Sequence, residues 1–154
     1  MFYLAFLLYA ATDADQLLMV DNVNLIVHEA GHFFFGWLGY TIGILGGTLG
    51  ELLVPLLIGI YFLRQRHTAG VAFCAFWFFE NFLYIGTYMA DARSVSLPLV
   101  GSGEHDWEIL FGQWGLLIYD RAIGSWTRAF GWLGMLATIC WLLWMAVFRR
   151  DNSA

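Results

Sequence analysis

Residues 20–39 read VDNVNLIVHEAGHFFFGWLG, and residues 42–63 read IGILGGTLGELLVPLLIGIYFL. The second stretch is apolar for longer than any soluble core helix requires, and it matches the ~20 residues needed to cross a bilayer as a helix. The first stretch has the same length but carries Asp21, Asn24, His28, Glu29 and His32. Asn24, His28 and His32 recur every fourth residue, with Asp21 three before Asn24, so on a helix they form one polar stripe. Such a stripe cannot face lipid and must point into a bundle or a water-filled cavity.

The rest of the chain agrees. Of its 154 residues 60% are hydrophobic and 12% charged, with 12 acids, 7 arginines and no lysine. A soluble domain of this size needs about a quarter of its residues charged, so a soluble globular enzyme is excluded. The net charge of −5 and the scattered arginines also argue against a nucleic-acid surface. Further apolar runs at 68–90 and 129–148 extend the pattern. The expected fold is an all-α polytopic membrane bundle, one integral-membrane domain over 1–154, with about four spans at 20–39, 42–63, 68–90 and 129–148. Short interfacial or re-entrant helices complete it: one in MFYLAFLLYAA (1–11), which lacks the basic start of a signal peptide, and one in 107–119.

Within the second span, Gly43 with Gly47 and Gly46 with Gly50 repeat the spacing that lets two helix backbones approach. Glu51 and Pro55 place an acid and a kink near its middle. In the third span Glu80, Tyr84, Thr87 and Asp91 share a second inward face. Trp37, Trp107, Trp114 and Trp126 read as belt residues at the membrane surface. Cys74 and Cys140 sit in apolar runs with no metal-ligand spacing. Arg64 and Arg66 fall on the same side of the membrane as Arg149 and Arg150 if two crossings separate them.

The chemistry concentrates in HEAGH, residues 28–32, an HExxH motif. One helical turn sets the His28 and His32 imidazoles side by side, where both can bind one zinc ion. Glu29 then serves as the base for a water that the metal acidifies. A catalytic zinc needs a third protein ligand and an open position. His105 is the first choice, followed by Asp106 as ligand or as an acceptor orienting an imidazole, then Asp91, with Glu80 and Glu51 also available. Asn81 is a candidate donor to an oxyanion, and Glu51 and Glu80 are candidate relays.

HEAGH inside a membrane helix, followed by a glycine-rich second span, resembles the site-2 protease family of intramembrane zinc metalloproteases. The resemblance covers Val20 to about Gly59, and it implies zinc on His28 and His32, Glu29 as base, and a transmembrane protein as substrate. That family draws its third ligand from an aspartate in an Asn-Pro and Asp-Gly signature, which this chain lacks. YMADAR (88–93), SLPL (96–99) and HDW (105–107) also look like a small family of bacterial membrane proteins, which points to a bacterial cytoplasmic membrane. The rival expectation is a non-catalytic membrane protein, alone or in a larger assembly, whose histidines and acids bind metal or relay protons. A bis-histidine haem fits less well, because histidines one turn apart cannot take opposite faces of a porphyrin.

Overall fold

The computed structural model describes residues 2–12, 21–98 and 104–151. Six helices run through them: α1 (Phe2–Thr12), α2 (Asp21–Phe35), α3 (Tyr40–Arg64), α4 (Thr68–Ala90), α5 (Asp106–Trp114) and α6 (Asp120–Asp151). Single 3₁₀ turns at Gly36–Leu38 and Leu117–Tyr119 lead into α3 and α6. Strands are absent among the described residues, and the all-α expectation holds.

Three helical segments are long and apolar enough to cross a membrane: Tyr40–Arg64, Thr68–Ala90 and Leu117–Val147. Their outward side chains suit that setting, since Leu57, Leu63, Leu133, Leu143 and Val147 are all exposed. The stretch expected to be the first span is different. Its described helix, α2, has 15 residues and reaches only ~22 Å, short of the ~30 Å hydrocarbon core. Val20, the acidic stretch before it and GSG at 101–103 lie outside the described residues, as does the Asp21 side chain. The last span starts earlier than expected, at the 3₁₀ turn.

Consecutive long helices pack antiparallel. Gly31 of α2 abuts Gly46 of α3, Gly59 of α3 abuts Cys74 of α4, and Gly86 of α4 abuts Gly124 of α6. The starts of α3 and α6 and the end of α4 therefore share one end of the bundle. The α2–α3 turn rests on Gly39, whose φ of 112° is a conformation open mainly to glycine. At the same end, the Arg93 guanidinium meets the buried Asp120 carboxylate at 2.6 Å, tying the chain after α4 to the start of α6.

Two apolar clusters hold the layers together. One gathers Ile85, Ala92, Trp107, Leu110 and Phe111, seating α5 against α4. Trp107 is thus core rather than belt, because α5 folds back over the bundle end and buries it to 5% exposure; Trp37 at 80% and Trp126 at 79% keep outward positions. The other cluster joins Phe76 to Met135 and Ile139, with Tyr3, Phe6 and Leu7 of α1 packed on it.

Candidate metal centre

The α2–α3 interface is nearly devoid of side chains. A Cβ on Gly31 would run into the Gly46 carbonyl, and one on Gly50 would meet the Val27 carbonyl at 2.9 Å. The small-residue spacing thus lets α2 lie backbone to backbone on α3. Gly47 serves the site directly: its bare Cα forms the floor beneath the His28 imidazole.

Both histidines are anchored through Nδ1. His28 Nδ1 lies 3.1 Å from Glu51 Oε1, and His32 Nδ1 lies 2.8 Å from the Gly43 carbonyl oxygen. A carbonyl can only accept, so His32 carries a proton on Nδ1, whereas His28 lies between two carboxylates, Glu51 at Nδ1 and Asp106 at Nε2, which without a metal ion favour a proton on both of its nitrogens. With a metal ion bound in place of an Nε2 proton, each Nε2 would present its lone pair. Both point at one atom, Asp106 Oδ2, 2.8 Å from His28 Nε2 and 3.2 Å from His32 Nε2. His28, His32 and Asp106 each offer one ligand atom, all within 4.8 Å of one another, and the group can hold a metal ion.

Three electron-pair donors converging without a hydrogen between them repel one another unless a cation sits among them or an imidazole gains a second proton. A tetrahedral zinc with ~2.0–2.2 Å bonds separates its ligand atoms by ~3.3 Å, close to the spacings here. The imidazole–carboxylate and imidazole–carbonyl pairs behind the ligands are the partners that commonly orient metal-bound histidines. The donor set of two imidazoles and one carboxylate can hold a metal ion.

Asp106, not the first-choice His105, meets the histidines. The reason is the start of α5. His105 is its N-cap, and its Nδ1 accepts the Glu108 N–H at 3.2 Å. Its buried ring stacks on Tyr88 with 4.1 Å between centroids, and Nε2 lies 3.6 Å from Asp91 Oδ2, so neither nitrogen faces α2. Burial pushes the His105 imidazole below its ordinary pKa, in keeping with a neutral cap. Asp106 begins the helix one residue later and turns its carboxylate the other way. Burial raises that carboxyl, but hydrogen bonds with His28 and His32 outweigh it and hold the group below its usual range.

Asp91 is likewise occupied elsewhere. Its carboxylate accepts from the Ser94 and Ser96 hydroxyls and from the N–H groups of Ser96 and Leu97, knotting the turn after α4. Burial pushes it up, yet these four donors together bring it to about 2.

Glu51 is buried behind His28 and holds it in place. Pro55 has no N–H for the Glu51 main-chain carbonyl one turn back. Asn81 of α4 supplies the missing donor through Nδ2. Asn81, a candidate oxyanion donor on sequence grounds, therefore repairs the backbone that carries Glu51. Deeper in the bundle, Asn24 donates to Glu80 Oε2 at 3.3 Å and accepts from Trp77 Nε1 at 2.8 Å, continuing the polar face of α2 beyond the site. Glu29 is half-buried and follows His28 on α2. Tyr88 and Gly47 were not singled out for the site by spacing alone; Tyr88 sits one turn beyond Tyr84, outside the expected polar stripe.

No protein-family model, curated protein or solved structure matches the chain.

Proposed function

We propose that this protein is a membrane-embedded, zinc-dependent hydrolase that cleaves peptide bonds in a transmembrane protein substrate. The observation that carries the reading is the convergence of His28 Nε2 and His32 Nε2 on Asp106 Oδ2 with both Nδ1 atoms already committed. Zinc would supply a Lewis acid that brings the pKa of water toward ~7 and polarises a carbonyl. His28, His32 and Asp106 would hold it, while Glu51 and the Gly43 carbonyl fix the two rings. Glu29, one position round α2 from His28, would take the proton of the attacking water and deliver it to the leaving amine as the C–N bond breaks. The resemblance of HEAGH to the site-2 protease motif supports peptide as substrate.

Gly43, Gly47 and Glu51 lie ~5, ~11 and ~17 Å along α3 from Tyr40, so the ligands occupy one leaflet. Arg64, Arg66, Arg149 and Arg150 stand at the opposite end and Arg93, Arg121 and Arg128 on the side of the site, and this four-to-three excess supports a site in the non-cytoplasmic half of a bacterial cytoplasmic membrane.

The test joins elemental analysis to a cleavage assay in liposomes containing a panel of single-span peptides. We expect one zinc per chain, lost in His28→Ala and in Asp106→Ala, and retained in Glu29→Gln while cleavage falls by a factor of ~10²–10⁴. The buried Asn24–Glu80 pair, one turn of α2 before His28, favours a second reading, a non-catalytic metal or proton-relay protein. Under that reading Glu29→Gln changes nothing.

A further inference from the structure

Tyr88 lies near the end of α4, against the ligand-bearing start of α5. Its hydroxyl accepts the main-chain N–H of Asp106 at 3.2 Å, one of the donors left open at the first turn of a helix. The ring is held on two sides, stacked on His105 at 4.1 Å and edge-on to His28 at 6.0 Å. A phenol that accepts from an N–H still has its own proton to give. Among the described residues no acceptor is recorded for it.

Resting on the metal reading above, we propose that Tyr88 is a catalytic residue, which donates a hydrogen bond to the substrate carbonyl oxygen as that oxygen becomes an anion. Three features support this. The hydroxyl is hydrogen-bonded to the main chain of the residue whose carboxylate meets both imidazoles, so it lies beside the proposed metal centre. Glu29 follows His28 on α2 and the Tyr88 ring lies edge-on to His28 at 6.0 Å, so base and donor both neighbour the same imidazole. The ring packs against His105 and its hydroxyl is tied to the Asp106 N–H, and a donor that needs no reorganisation is the kind that stabilises a developing oxyanion. The ligand class is an acyl group whose oxygen gains charge, and a small hydroxamate mimics it.

The experiment needs no natural substrate. Detergent-purified protein is loaded with Co²⁺, whose visible absorption reports the ligand field, and is titrated with acetohydroxamate. We expect wild type and Tyr88→Phe to bind cobalt equally and with the same resting spectrum. Tyr88→Phe should bind acetohydroxamate about 10- to 100-fold more weakly, the effect of losing one hydrogen bond to a charged oxygen. Replacement of Tyr88 by 3-fluorotyrosine, which keeps the ring and strengthens the donor, should tighten binding, and it provides the comparison should Tyr88→Phe fail to fold.

Equal hydroxamate affinity in wild type and Tyr88→Phe, or no tightening with fluorotyrosine, overturns the role of Tyr88 and leaves the metal reading standing. Weakened cobalt binding in Tyr88→Phe would make Tyr88 a prop for Asp106 and overturn the proposal. A wild type that takes up no cobalt overturns the metal reading itself.

Discussion

Replacing Gly47 with alanine adds a single methyl group, and the structure places that methyl inside the His28 ring, overlapping Nε2, Cε1 and Cδ2. Ordinary contact between heavy atoms is ~3.5–4.0 Å, so the ring must retreat by about 1 Å or more. Metal sites tolerate ligand displacements of only ~0.2 Å. The Nδ1 contact to Glu51 opposes the retreat, and α2 cannot lift from α3 without parting the Gly31–Gly46 contact. Disturbing a partner behind a metal ligand already costs ~10–100-fold in affinity, and here the ligand atom itself is moved. The expected loss is at least about 100-fold, or about 2.8 kcal/mol. Helix propensity works the other way, since alanine in a helix is favoured over glycine by ~0.5–1 kcal/mol. Competition against a chromophoric chelator in detergent measures the effect, with circular dichroism confirming that the bundle is folded. Gly112→Ala is the control, because a Cβ there meets nothing within 4 Å. Wild-type zinc affinity in a folded Gly47→Ala protein would refute both the packing of His28 on Gly47 and its place as a ligand.

Further outcomes follow from the residues around the site. Asp106→Ala should abolish metal binding, whereas His105→Asn, which retains an acceptor for the Glu108 N–H, should keep one metal per chain by elemental analysis. Asn81→Leu should destabilise the bundle by ~1–3 kcal/mol in denaturant titrations, the cost of an orphaned buried carbonyl. Most of that cost should vanish in a Pro55→Ala background, where residue 55 regains the N–H that Glu51 lacks. Asp91→Asn should lower the melting temperature at pH 7. The folded Asp91 carboxyl lies at about 2 against an ordinary 3.8, so its stabilisation is complete above the ordinary value and fades as pH falls toward 2. The wild-type and Asp91→Asn melting curves should therefore converge in acid.

The helices were legible because apolar runs of bilayer length admit few other structures, and Arg64 and Thr68 bracket the α3–α4 turn within a residue of where composition changes. HEAGH was legible for a similar reason, since a spacing of four puts His28 and His32 on one face whatever surrounds them. The third ligand was not. His105 and Asp106 are neighbours, and one residue of helix rotates a side chain by ~100°, so the choice depends on which of them begins α5. GEHDWE does contain a hint, because His105 stands three before Glu108 in the place of a capping residue, but histidine is an uncommon cap and the ligand reading was the stronger lure. The dependence of Glu51 on Asn81 was hidden in another way. Pro55 signalled a freed carbonyl, while its replacement partner came from a different helix, and periodicity within one segment carries no information about which faces meet.

His28 and Asp106 are 78 positions apart, and α3 and α4 are both threaded between them. During synthesis α2 emerges long before the carboxylate that completes its site. Its imidazoles must wait through the insertion of two membrane helices, sheltered only by the glycine surface of α3. The three-residue cluster is then incomplete until α5 has been made, and a nascent chain stalled before α5 would hold the histidines without the carboxylate that they meet. Any chemistry proposed for the cluster would thereby be withheld from its neighbours in the membrane until α5 is in place.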